Sequence, residues 1–327
     1  MKIIFSVLNT GLGNNGGSKT IIESANTLVN LGHEVYILDS GKSMYTWGPI
    51  KAQHIKLKTK RDIPDVDVIV STGFKSVRAT VRLPKRCGKQ FTYIRGWELW
   101  KMSVQQIIEE VLKAPTIKIV NSIGLQQKLK SLGFESYIIR PGNDFNSIYP
   151  MVSRTPNVVL GGLYHTKHKT KRSGWIIHTA KALKSKYTNI QLWMFGADSD
   201  PNIPVIDKYL YQPNKIKKAS FYNGITVWLA PSELEGLHIP PQEAMLAECV
   251  VVTTDAPLSG TSDYISHEKT GLVAKNDIFS FVAQVERLIR DPLLRSKISK
   301  NGRKMIIDLG SRETNMQKMV KLFEEFI

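Results

Sequence analysis

A chain of 327 residues exceeds what one hydrophobic core usually organises, so two domains of about 150 residues each are expected. Its 42% apolar and 22% charged residues, with Gly and Pro not overused, exclude a disordered chain and a fibrous repeat. A formal net charge of +17 favours anionic partners such as nucleotide phosphates, nucleic acid or lipid headgroups, and fixes a sign without naming a partner.

In chain order, KIIFSVL reads as a first core strand rather than a signal peptide, because it breaks at Asn9 and Gly11 with no small-residue cleavage site. No stretch approaches the about 18 apolar residues of a membrane span. The next segment, SKTIIESANTLVNLG, places Ile21, Ala25, Leu28 and Leu31 on one helical stripe, and Gly32 ends it. HEVYIL, DVDVIVST, QFTYIR, IKIVNS and SYIIRPG follow as strands alternating with amphipathic segments, the pattern of a parallel sheet covered on both faces. SIYPMVSRTPN, with two prolines, interrupts the alternation and marks a domain boundary, so residues 1–152 form one Rossmann-like domain and 153–310 a second. The second half repeats the pattern: VVLGGL, helix WIIHTAKALKSKY, strands IQLWMFG and ITVWLAP, helix PPQEAMLAE, strand CVVVTTD and helix FSFVAQVERLIRD. Residues 311–327 read as an amphipathic helix able to pack back on either domain, the N-terminal one included. The fold class is therefore α/β, with two doubly wound parallel-sheet domains facing across a cleft.

Cys87 and Cys249 lie far apart without metal-ligand spacing, which fits a reducing, cytoplasmic compartment. The loop GLGNNGG sets Gly11, Gly13 and Gly16 in dinucleotide-fingerprint spacing between a strand and a helix, with Asp39 ending the next strand. That arrangement is the case for an NAD-dependent oxidoreductase. The same loop suits any phosphate or sugar approaching a helix N-terminus, or a tight turn without a ligand.

A sharper pattern is PSELEGLHIPPQEAMLAECVVVTTD. Glu235 and Gly236 stand in the loop past a strand's carboxyl end, where parallel sheets bind ligands, and Gly236 admits close backbone approach. Glu243, on a helix entered through Pro240 and Pro241, can offer a carboxylate to vicinal hydroxyls such as those of a ribose. Ser232, Glu235, Gly236, Leu237, Pro240, Glu243, Ala244 and Met245 resemble the E-x7-E element of the retaining glycosyltransferases of family 4, which have the GT-B fold. Gly16, Gly17 and LGHEVYIL are similar to that family's first strand-helix-strand unit. YIRGWELW, IVNS and RPGNDF are similar to its approach to the interdomain linker.

The resemblance implies a retaining transfer of sugar from a nucleotide-sugar, UDP- or GDP-linked, without a metal or other cofactor, to a glycan, lipid-linked or other acceptor. It implies that Glu243 binds the donor ribose and that Glu235, with the Gly236 and Leu237 backbone, lies against the donor sugar and its phosphates. Gly16 and Gly17 join the donor-binding set. The family supplies an arginine and a lysine to the diphosphate from the loop after the second domain's first strand, here GGLYHTKHKTKRSGW. Gly162 stands where that arginine is expected. Lys169, Lys171 and Arg172 lie near the lysine position; Lys171 is preferred, as a catalytic cation for the departing diphosphate, with Arg172 beside it as a donor-binding residue. A solvated basic loop is the plainer reading of KHKTKR. Glu248 and Asp263 depart from the family's usual glycine and glutamate.

Arg95, Trp97 and Glu98 cluster beyond a strand of the first half, where Arg95 and Glu98 can grip acceptor hydroxyls or a phosphate. Trp97 and Trp100 serve equally as packing residues. His165 and His33 read as structural, because no triad partner is legible for either. FKSVRATVRLPKRCGKQ carries Lys75, Arg78, Arg82, Lys85, Arg86 and Lys89 without an acidic residue, and positions 75, 78 and 82 are expected on one helix face. It reads first as a solvated cationic face, and alternatively as peripheral contact with anionic lipid that suits a lipid-phosphate acceptor. A nucleic-acid-binding protein exploits the same charge, but no aromatics interleave with the basic runs, so no nucleic-acid partner is expected.

Overall fold

The computed structural model describes residues 1–41, 43–99, 102–151 and 157–327. Trp100 and the boundary expected at 152 and 153 lie outside the described residues. The chain divides into a unit made of Met1–Gly142 with Arg312–Ile327, and a second unit, Asn143–Ser311. In the first, strands β1 (Lys2–Ser6), β2 (Glu34–Asp39), β3 (Gln53–Lys56), β4 (Val68–Ser71), β5 (Lys89–Ile94), β6 (Ile117–Val120) and β7 (Tyr137–Ile138) alternate with helices α1 (Gly16–Asn30), α2 (Phe74–Thr80), α3 (Val104–Ile107) and α4 (Ile123–Ser131). The second carries β8 (Val158–Tyr164), α5 (Ser173–Lys184), β9 (Ile190–Gly196), β10 (Lys208–Tyr211), α6 (Lys215–Asn223), β11 (Val227–Ala230), α7 (Ile239–Leu246), β12 (Val250–Thr254), β13 (Leu272–Ala274), α8 (Ile278–Arg290) and α9 (Pro292–Asp308). A final helix, α10 (Arg312–Glu324), returns to the first unit.

Among the described residues the first sheet has seven strands in the order β3-β2-β1-β4-β5-β6-β7, and the second has six in the order β10-β9-β8-β11-β12-β13. All pairings are parallel. Helices cover both faces of such a sheet, which is why the central strands β4 (VIVS), β11 (VWLA) and β12 (VVVTT) are buried at every position. Each unit is doubly wound as the sequence predicts, the second carrying α5 and α8 on one face and α6 and α7 on the other. Ile176, Ala180 and Leu183 of α5 join Phe281 and Val285 of α8 over Leu160, Leu192 and Val227. Tyr222, Ala244 and Met245 pack against Trp228 and Val251 on the opposite side.

Two expectations are corrected, the loop placement of Gly162 and the shared helix of positions 75, 78 and 82. Gly162 is not a loop position: β8 runs through Tyr164, and a Cβ on Gly162 would stand 2.7 Å from Ile176, so α5 packs where an arginine side chain would begin. Positions 75, 78 and 82 do not share a helix, because α2 ends at Thr80. Leu83 precedes Pro84, which disfavours helical backbone before it, and Arg82 lies past the last turn. The chain also enters the second unit at Asn143, ahead of residue 152. Ile148 is buried in that unit's core, and the Met151 amide donates to Asn223 at 2.7 Å.

Helix α10 packs on the first unit. Met316, Met319 and Phe323 are buried with Phe5 and Phe91, the Phe91 and Phe323 rings lie 4.7 Å apart, and Arg312 pairs with Glu23 at 2.8 Å. The points of entry to and exit from the second unit adjoin, since Asn143 and Ser311 form an isolated parallel bridge.

Candidate active site

In the second sheet the strand order reverses between β8 and β11, so the loops after these strands diverge and leave a crevice at their carboxyl ends. Three connections line it. The loop after β8 is fastened by Ser173, whose Oγ accepts the His165 amide at 2.9 Å, and by Asp198, which accepts from both the amide and hydroxyl of Thr166. Those bonds hold the Asp198 carboxyl below its ordinary pKa. A 3-10 turn, Lys169–Lys171, then leads through Arg172 in left-handed backbone (φ 53°) into α5. The loop after β11 is zipped to its neighbours by backbone bonds: Glu233 donates to Thr170, Glu235 to Leu258 and His238 to Gly260. Gly260 has φ +71°, and a Cβ there would lie 2.7 Å from the Cβ of Glu235, so the absence of a side chain sets how closely the two loops meet.

This scaffold brings Lys171 and Glu235 together. Lys171 Nζ donates to Glu235 Oε1 at 2.6 Å, and His238 Nε2 stands 3.5 Å from the same oxygen. Burial by itself would raise the Glu235 pKa. The charge of Lys171, with His238 and hydrogen bonds from Lys171 and Ser232, outweighs it and holds the carboxyl below its ordinary value. Burial also pushes the His238 pKa down to about 4, against the pull of Glu235, so this imidazole is neutral at pH 7 and Lys171 is the standing counter-charge. His165 is likewise lowered, by burial first and then by Lys171 and His168. A cation, a carboxylate and two neutral imidazoles thus surround one spot at the switch point.

Glu243 lies on the next helix, α7. Its Oε1 accepts from Lys218 Nζ at 2.5 Å and its Oε2 from the Tyr222 hydroxyl at 2.8 Å. Gly236 and Leu237 are buried between the two glutamates in the chain, Leu237 within the core beneath α7. Of the other cations of this loop, Lys169 is exposed. The Arg172 guanidinium is engaged by Glu233 at 3.0 Å, by Asn276 and by the face of Trp175, 4.4 Å from its centroid. Arg172 therefore clasps the loop, while Lys171 addresses Glu235.

Gly16, Gly17, Arg95 and Glu98 belong to the first unit. Gly16 and Gly17 open α1, whose cap Asn15 accepts the Ser18 amide. The Arg95 guanidinium donates to the carbonyls of Gly17 at 2.6 Å and Thr72 at 2.8 Å, joining the loops after β1 and β4. Of the loop amides, that of Leu12 donates to Ser43 and that of Gly13 to Ser18. Asp39 is buried, accepts the Ser43 amide and faces His54. Trp97 is buried against Phe74, a packing residue. Among the described residues no group of three or more His, Cys, Asp or Glu side chains is arranged to hold a metal ion. No helix there is long and apolar enough to cross a membrane.

Sequence reasoning missed His238, Lys218 and Tyr222. His238 sits three residues past Glu235 inside an apolar run, where a histidine was a legible anomaly. Lys218 and Tyr222 are four apart on a helix that the sequence did not reveal.

Residues 169–305 match the family described as Glycosyl transferases group 1, and this segment contains Lys171, Arg172, Glu235, Gly236, Leu237 and Glu243. The chain is similar to the capsular polysaccharide biosynthesis glycosyltransferase CapM of Staphylococcus aureus, with 28% identity over 162 residues, 46% of this chain and 42% of CapM. It is also similar to the poly(ribitol-phosphate) alpha-N-acetylglucosaminyltransferase of S. aureus strain COL, with 24% identity over 168 residues, 47% of this chain and 33% of that protein. The match thus spans less than half the length of either relative. Among solved structures, Alr3699/HepE of Anabaena in complex with UDP-glucose superposes with a TM-score of 0.79 at 13% identity, covering 100% of both chains, a likeness of fold. The two parallel-sheet units are those of the GT-B fold.

Proposed function

We propose that this chain is a retaining glycosyltransferase of the family 4 type that binds a nucleoside-diphosphate sugar on its second unit and passes the sugar to an acceptor engaged by the first. The observation that carries this reading is the Lys171–Glu235 pair at the switch point, with Glu243 on the helix that follows. Departure of a nucleoside diphosphate builds negative charge on phosphate oxygen. Lys171, beside two neutral imidazoles, supplies a positive charge already in place. Glu235 holds that ammonium in the free protein and, with donor bound, accepts from the sugar's hydroxyls while Lys171 turns to the phosphate. Glu243 takes the ribose hydroxyls. Same-face attack, aided by the leaving phosphate, retains the anomeric configuration without a side-chain nucleophile.

The match over 169–305 supports the class of reaction, and the UDP-glucose complex of HepE supports a UDP-linked donor. The two S. aureus relatives, one named for capsular polysaccharide and the other for poly(ribitol phosphate), favour a glycan or phosphate-bearing polymer as acceptor. The exposed cations between Lys75 and Lys89 fit an acceptor of that charge, or the anionic surface that carries it.

The test is turnover of UDP-glucose, UDP-N-acetylglucosamine and GDP-mannose with and without EDTA, with the product anomer read by NMR. Turnover of one donor, indifferent to EDTA and lowered about 10²- to 10³-fold in Glu235→Gln, is expected. An inverted anomer overturns retention, and loss of turnover in EDTA overturns metal independence.

A further inference from the structure

We infer that Lys218 and Tyr222, one turn apart on α6, are positioning residues that lock the Glu243 carboxylate for the vicinal hydroxyls of the donor's ribose. The inference rests on the reading of Glu243 above and adds a second helix to the nucleotide site. Both oxygens of Glu243 are addressed from α6: Lys218 Nζ meets Oε1 and the Tyr222 hydroxyl meets Oε2. Residues four apart share one face of a helix, so a single rigid element fixes the plane of the carboxylate as well as its location.

Each donor is itself held in place. The Tyr222 ring is fully buried between Phe195, 5.9 Å away, and Trp228, 5.2 Å away. Burial, then the adjacent Glu243, keeps its phenol protonated far above neutral pH, so it remains a donor at any working pH. Lys218 is 9% exposed, a cation withdrawn from water against a carboxylate. A buried ion pair is a poor device for stability alone, since apolar side chains of the same volume serve as well or better.

Recognition of a cis-diol needs something else, a fixed pair of acceptors with a defined orientation. A carboxylate offers about four acceptor positions, and one on each oxygen of Glu243 faces a donor of α6. With its plane set in advance, the glutamate presents acceptors to the 2′- and 3′-hydroxyls without first having to choose a rotamer.

The consequence is selectivity for ribonucleotides over 2′-deoxyribonucleotides, measured by calorimetry with UDP and GDP, each beside its 2′-deoxy counterpart. The wild-type chain is expected to bind the ribonucleotide about tenfold more tightly. Lys218→Met and Tyr222→Phe are each expected to weaken the ribonucleotide by about tenfold and leave the 2′-deoxy form within about twofold, so that the ratio collapses. A purely structural contribution would weaken both nucleotides alike, and that result overturns the inference. Tyr222→Phe removes one hydroxyl and keeps the ring, so it decides the matter even if Lys218→Met fails to fold. If Glu243→Gln erases the discrimination while both α6 variants retain it, the clasp is refuted and the ribose reading stands. If the wild-type chain shows no preference for either ribonucleotide, both fall.

Discussion

The two sheets share a strand order, with the reversal after the first strand in each, and differ in the polar groups placed at the switch point. In the first unit the polar groups around the loop after β1 are spent locally: Ser43 and Ser18 accept loop amides, Asn15 caps α1, and Arg95 bonds the Gly17 and Thr72 carbonyls. At the equivalent place in the second unit the polar groups are ionisable side chains gathered on one spot, Lys171, Glu235 and His238. The same architecture thus yields a self-satisfied turn in one case and a preorganised charge in the other. Function follows from the side chains placed there and not from the fold.

The comparison breaks first at catalysis. Lys171→Met and Glu235→Gln are each expected to lower kcat/KM for donor turnover by about 10²- to 10³-fold, the effect of removing one preorganised group from a developing charge. Steady-state kinetics on folded protein checks this, and a loss under tenfold in both would remove the distinction between the switch points.

Next in size is pH dependence. His238 titrates at about 4 when folded against 6.5 unfolded, so between these values the unfolded chain takes up a proton that the folded one refuses. Stability is therefore complete above pH 6.5 and declines as pH falls toward 4, by about 3 kcal/mol at most. Denaturant titrations from pH 7 to 4.5 should show a shallower decline in His238→Gln. An unchanged slope would mean that this imidazole is not held neutral.

Arg95→Met tests the other side of the comparison. It should cost about 2 kcal/mol of stability by stripping two backbone carbonyls of their donor, while leaving UDP affinity unchanged. A fall in UDP affinity would make the first switch point a nucleotide contact after all. The smallest effect per residue is expected at the surface: replacing Lys75, Arg78, Arg82 and Lys85 together by serine should alter stability by less than about 0.5 kcal/mol per substitution and lower retention on anionic vesicles.

Much of this was readable in the residues, and the exceptions share a cause. Strands buried on both faces, such as those at 227–230 and 250–254, write themselves as largely apolar runs. The paired glutamates, with the prolines that open α7, stood out by spacing. What stayed hidden depends on neighbours distant in the chain. Helix α6, KIKKASFYN, has too many lysines to show an apolar stripe, and Lys218 is explicable only beside Glu243, 25 residues later. Gly162 falls in both the strand run VVLGGL and the loop run GGLYHTKHKTKRSGW, so the residues alone leave its place open. It lies within a strand because Ile176 needs the space. Strand β3, QHIK, is a short edge with little burial to reveal it.

The return of α10 to the first unit sets an order of assembly. Met316, Met319 and Phe323 complete the core around Phe91, but the ribosome releases them only after all of Asn143–Ser311. During synthesis the amino-terminal sheet must therefore wait, with part of its apolar face uncovered, while the later unit is free to fold ahead of it. A nascent chain arrested before residue 312 is accordingly the form most prone to capture by holding chaperones, and release of α10 is the step that ends that exposure.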